Sequence, residues 1–173
     1  MANIANLRMG PCSLTFNTVD VGLTLGGVKV NYERKLTDLK ADKYGENAID
    51  AALTSTELTV EVKVAEPVVQ QIKNAIPEGA FNSGPLGEQL GFGAGEGTSM
   101  RASAAQLTLH PLSKAATDYS EDLTVYLAYP SSPVPLNYEV ANQRVFEVTF
   151  SALVSEAYTV GRRLGHIGPV NIS

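Results

Sequence analysis

The sequence predicts a mainly β protein: an antiparallel β-sandwich or barrel with one flanking α-helix and long loops. Three features of the chain carry that expectation. Several runs alternate apolar and polar residues with period two, one segment sets apolar residues at helical spacing, and two long stretches follow neither pattern.

Taken in order, Leu14-Thr15-Phe16 and Val21–Thr24 are short strand candidates. The run Gly27–Arg34 alternates cleanly, with Val28, Val30 and Tyr32 on one face and Lys29, Asn31 and Glu33 on the other. The run Glu57–Val64 repeats the pattern. Leu58, Val60, Val62 and Val64 point inward there, and Thr59, Glu61 and Lys63 point outward. Gln106–His110 also alternates, and Leu123–Tyr129 is β-branched and aromatic enough to favour a pleated surface. Arg144–Val154 is the longest candidate, with Phe146, Val148, Phe150 and Ala152 lining one face.

The helix is expected over Glu66–Ile76. Val68, Val69, Ile72, Ala75 and Ile76 recur at helical spacing, Pro67 suits the first turn, and Pro77 ends the segment. Asn47–Leu53 reads equally as a short helix or an extended segment. Residues 34–47 are charged and lie between strand signals, so a loop is expected there. Residues 77–101 form a second, glycine-rich loop, with six glycines between Gly84 and Gly97. Pro130, Pro133 and Pro135 mark a turn. With 173 residues, no internal repeat and no linker, residues 1–173 read as a single domain.

Thirteen basic and eighteen acidic residues give a net charge of −5. The basic residues are scattered, which argues against a protein that grips phosphate backbones. Cys12 is the only cysteine, so no intrachain disulfide can form. No apolar run reaches the roughly 20 residues of a membrane helix, and the N-terminus lacks the apolar core of a signal peptide. A chain made and used without a membrane is expected.

No catalytic, cofactor or metal constellation emerges. His110 and His166 are the only histidines, and neither has ligands at zinc spacing. Gly91–Gly97 fails the dinucleotide fingerprint, because its third glycine would fall on Glu96. Asp38–Gly45 fails as a calcium loop, because Lys40 and Lys43 occupy positions that need an oxygen ligand and a glycine. Asp118, Glu121 and Asp122 cluster beside a turn as a solvated group. An enzyme is not expected, and no cofactor is expected.

One stretch carries a family likeness. It reads Gly22-Leu23-Thr24-Leu25-Gly26-Gly27-Val28-Lys29-Val30-Asn31-Tyr32, then Thr37–Gly45 with its D-x-x-x-D-x-x-G pattern, then Thr59–Glu66 and the helix. Residues 21–66 thereby resemble the N-terminal half of bacteriophage tail tube proteins, which share their fold with the ring protein of contractile secretion systems. The resemblance implies a non-enzymatic virion protein, made in the host cytoplasm, that forms homo-hexameric rings stacked into a hollow tube. It implies that strands of neighbouring subunits join around a negative lumen, through which viral DNA passes without specific binding. It further implies an N-terminal arm and an acidic loop that reach neighbours, with sheath, tape-measure and baseplate proteins as partners. On this reading Lys29, Asn31, Glu33, Thr59, Glu61 and Lys63 are candidates for the lumen face, where the two lysines need acidic partners. Asp38, Asp42, Tyr44, Gly45 and Phe92 are candidates for inter-subunit contact.

Three other readings stand beside this one. A secretion-system ring protein would share the fold and the ring. A soluble β-sandwich ligand-binding module would need an exposed aromatic platform, against which the absence of Trp counts. A hydrolase using Asp118, Glu121 or His110 would need those groups in a cavity with shifted pKa values.

Overall fold

The computed structural model describes residues 10–65, 68–93, 96–136 and 144–169. The expected N-terminal arm falls on residues 1–9, outside the described residues. The described residues form ten strands: β1 (Cys12–Phe16), β2 (Val19–Asp20), β3 (Thr24–Lys40), β4 (Ala48–Val64), β5 (Ala80–Gly84), β6 (Gly87–Gly91), β7 (Ala105–Pro111), β8 (Leu123–Pro130), β9 (Phe146–Ala152) and β10 (Gly165–Ile167). Helix α1 spans Val69–Ala75 and a single turn, α2, spans Met100–Ser103.

Eight strands form one antiparallel sheet in the order β2-β1-β7-β8-β9-β4-β3, with β10 paired to β8. β5 and β6 form a separate hairpin. The large sheet folds over on itself. Phe16 of β1 and Phe150 of β9 are separated by two strands in the sheet order, yet their ring centroids lie 4.9 Å apart. Strand β8 makes the turnover. Its first half pairs with β7 and β10, and its second half, Ala128–Pro130, pairs with β9. The result is a sandwich-like fold whose sheet does not close into a barrel.

The core lies inside this fold. Leu14, Phe16, Val60, Val62, Val64, Leu107, Val125, Phe146, Val148 and Phe150 are all buried. These are the inward positions that the period-two pattern selects, and each such burial stabilises by about 1.5–3 kcal/mol. Helix α1 buries Ala75 and packs Ile72 and Ile76 against the same cluster. Gln71 Nε2 donates to the Asp20 carbonyl at 2.9 Å and ties the helix to β2. The helix is shorter than its sequence signal, beginning at Val69, and Glu66 and Pro67 lie outside the described residues.

Both expected loops prove to contain strand. Residues 34–40 continue β3, and only residues 41–47 form the connection. The undecided segment at 47–53 is extended, because Ala48–Leu53 pairs with Leu36–Lys40. The glycine-rich stretch holds the β5–β6 hairpin, whose register Gly84↔Gly87 leaves Pro85-Leu86 as a two-residue turn. Gly87 has φ +120, which favours glycine there.

Close packing at β10 gives a first prediction. A Cβ at Gly165 would press into the Thr124 carbonyl of β8. Gly165→Ala is therefore expected to destabilise the fold by about 1–3 kcal/mol, read as a lower urea midpoint. An unchanged midpoint would show that β10 can shift without cost.

Candidate functional site

The longest element is the β3–β4 hairpin, and it is only half embedded. Strand β9 pairs with β4 over Thr59–Val64 alone. Beyond that point, among the described residues, β3 and β4 pair only with each other. Residues 32–40 and 42–51 are exposed. At about 3.4 Å per residue the free ribbon reaches about 30 Å from the body. Such a ribbon is held by its own cross-strand pairs, which run through two irregularities, at Lys35/Leu36 and Leu39/Lys40.

The arm is not uniformly polar. The register places Val30 opposite Val60, Tyr32 opposite Leu58 and Leu36 opposite Leu53, on the face that continues the core. Inside the body the β4 members of these pairs are buried. On the last strand of the sheet, β3, Tyr32 is 58% exposed, and further out Leu36 is 60% and Leu53 56% exposed. Leu39 and Ile49 are also exposed. Among the described residues, exposed apolar side chains thus continue from the core along this face with nothing against them, interrupted by Arg34 and Asp38, and exposed apolar patches mark interaction surfaces.

The tip places the expected contact residues more exactly than a loop would. Asp38 sits within β3 opposite Ala51. Asp42 and Tyr44 form a single 3-10 turn, which Gly45 leaves with φ 62. Lys40 Nζ pairs with Glu46 at 2.7 Å, closing the base of the turn. Phe92 belongs to a different surface. It follows β6, is exposed, and lines a cleft with Ile76, Met100, Tyr129 and Pro133.

The six expected face residues come together on one side of the sheet. Lys29 is opposite Glu61, Asn31 opposite Thr59, and Glu33 opposite Glu57. Strand β9 extends this face with Glu147, opposite Lys63, and with Thr149 and Ser151. Lys29 Nζ lies 3.3 Å from Glu61 Oε2, and Asn31 Nδ2 donates to Glu61 Oε1 at 2.8 Å. Lys63 Nζ lies 2.5 Å from Glu147 Oε1. Lys29 thus has an acidic partner within its own hairpin, whereas the partner of Lys63 comes from β9. Sequence reasoning missed Glu147. Its outward position was visible from the burial of Phe146 and Val148 on either side, but its row in the sheet was not.

The titratable cluster near residue 118 is a locked turn. Ser120 N donates to Asp118 Oδ1 at 3.1 Å, and Lys114 reaches Asp118 and Glu121 at 3.2 and 3.1 Å. The Ser120 hydroxyl, its backbone N–H and then Lys114 hold the Asp118 carboxyl down to about 2. The bonds to Glu121 and then Asp118 push Lys114 up. A carboxylate so acidic is a poor proton acceptor, so these groups stabilise the turn. His110 Nδ1 lies 2.7 Å from the buried Asp122 Oδ1 and links the end of β7 to the start of β8. As a carboxylate Asp122 can only accept, which places the imidazole proton on Nδ1. The two clefts described here, one along Lys29, Glu61 and Glu147 and one beside Phe92, are lined by other residues.

The locked turn has a pH signature. Because folding lowers the Asp118 pKa, its contribution is present above the ordinary value of 3.8 and is lost as pH falls toward about 2. Asp118→Asn is expected to flatten the melting temperature against pH between about 4 and 2. A variant with the same acid limb as the wild type would place the acid sensitivity elsewhere.

Among the described residues, no group of three or more His, Cys, Asp or Glu could hold a metal ion, and no helix is long and apolar enough to cross a membrane. Compared with known proteins, the chain matches no protein-family model and no curated sequence.

Proposed function

We propose that the chain is the structural subunit of a bacteriophage tail tube, in which homo-hexameric rings stack into a hollow conduit for viral DNA during ejection. The observation that carries this reading is the β3–β4 arm. A ribbon of two 17-residue strands, half of it outside the body and bearing exposed Tyr32, Leu36 and Leu53 on one face, leaves apolar surface in water. It is accounted for if it docks on a neighbour. The open sheet supports the same reading, because β3 ends the strand order and offers its outer edge for pairing with another chain. The resemblance of residues 21–66 to tube proteins supplies the kind of assembly. In it, the polar face of β3, β4 and β9 would line the lumen, and the arm would reach the next ring.

Negative-stain electron microscopy of the purified chain across a concentration series tests this. Rings or hollow tubes of constant diameter are the expected result. Particles that stay monomeric at every concentration would overturn it.

A further inference from the structure

The segment between β9 and β10, residues 153–164, holds no strand or helix and returns along β8. Leu153 N donates to the Leu127 carbonyl at 2.7 Å and Tyr126 N to the Leu164 carbonyl at 3.2 Å, which ties both ends of the segment to β8. Ser155 N donates to the Arg163 carbonyl at 2.9 Å and draws the ends together. The tip is open, with Val160 exposed and Gly161 at φ 92. Between the ends and the tip, Tyr158 lays its ring over that of Tyr126 on β8, with centroids 3.5 Å apart and planes 5° from parallel. Aromatic pairs in proteins usually sit offset or edge-on, with centroids about 4.5–7 Å apart. This pair is face to face and closer. Among the described residues it is also the one place where two tyrosine rings meet. Tyr158 is 38% exposed, so an oxidant in solution can reach the stack.

We propose that Tyr126 and Tyr158 form an oxidative cross-linking site, at which a haem peroxidase with hydrogen peroxide joins the two rings and staples residues 153–164 to β8. Each phenol gives up its hydroxyl hydrogen, as a proton and an electron, to the oxidised haem. The two phenoxyl radicals join by a carbon–carbon bond between positions beside each oxygen. The hydrogens on those two carbons then pass to the oxygens as protons, which restores both aromatic rings. The net loss of two hydrogens from the chain reduces one hydrogen peroxide to two waters. Stacking favours this coupling because the two radicals are already in contact and need no diffusional encounter. The open tip at Val160 and Gly161 lets the rings swing from face-to-face to edge-joined as the bond matures. Both tyrosines belong to one chain, so the reaction needs no assembly and does not depend on the tube reading.

The test treats the dilute purified chain with a haem peroxidase and limiting hydrogen peroxide. The expected product shows dityrosine fluorescence, an intact mass lower by two hydrogen atoms, and the electrophoretic position of a single chain under denaturing conditions. Peptide mapping should join the peptides that carry Tyr126 and Tyr158. Tyr158→Phe and Tyr126→Phe each keep both rings, and so the stack, but remove one phenol; both are expected to lose the intrachain product. Tyr119→Phe removes an exposed tyrosine that stacks on no other, and is expected to keep it. The coupled chain should also melt later than the untreated one, because a bond that closes residues 126–158 restricts the unfolded chain. Melting curves of the untreated variants establish that each is folded. Products confined to cross-linked dimers, or an intrachain product that survives Tyr158→Phe, would overturn the site. A coupled chain that melts no later than the untreated one would overturn the staple.

Discussion

Replacing Leu36 by Lys together with Leu53 by Glu is expected to abolish tube formation while leaving the subunit folded. The two leucines face each other across the free part of the arm and are both more than half exposed. Each leucine buried at an interface contributes about 1.5–3 kcal/mol. Losing both removes about 3 kcal/mol or more per contact, about 100-fold or more in association constant. The substitution is chosen so that the hairpin itself survives, since an opposed Lys and Glu stabilise a cross-strand pair. Surface changes of this kind shift folding stability by about 0.5 kcal/mol or less. Sedimentation and microscopy would read the assembly, and thermal melting would read the fold. Tubes formed at the wild-type concentration would show that the arm is not the assembling surface. A collapsed melting temperature would show that the leucines hold the hairpin rather than a neighbour.

Phe150→Ala should produce the largest loss of folding stability, about 3–5 kcal/mol. The ring is 1% exposed and lies against Phe16 across the fold of the sheet. Its backbone stands opposite Val60 on one side and Pro130 on the other, where β9 joins β4 to the turnover strand β8. Removing the ring leaves a cavity between the two layers that neither can close without bending the sheet further. Native stabilities of about 5–15 kcal/mol make this a large fraction of the total. Urea denaturation would measure it, and a loss under about 1 kcal/mol would mean that the layers collapse onto the gap.

How far the sequence determined this protein follows from what a periodic pattern encodes. Alternation sets which residues of a strand share a face, because successive side chains point oppositely. It therefore placed Val60, Val62, Val64, Phe146, Val148 and Phe150 inside, and gathered Lys29, Asn31, Glu33, Thr59, Glu61 and Lys63 on one polar face. The helix ahead of Pro77 was legible for the same kind of reason.

Alternation says nothing about what lies opposite. Val60 and Tyr32 obey the same pattern, yet one is buried and the other exposed, because β4 lies between β9 and β3 whereas β3 is the last strand of the sheet. Residues 34–40 looked like a loop because a ribbon wet on both faces needs no alternation. Only their pairing with residues 48–56 makes them a strand. The partner of Lys63 was equally hidden, because Glu147 reaches it through the register of β4 on β9. The sequence by itself thus determined the faces of the alternating strands and the main helix. The tertiary structure alone decided where the core ends, and with it which apolar side chains were left outside to meet another surface.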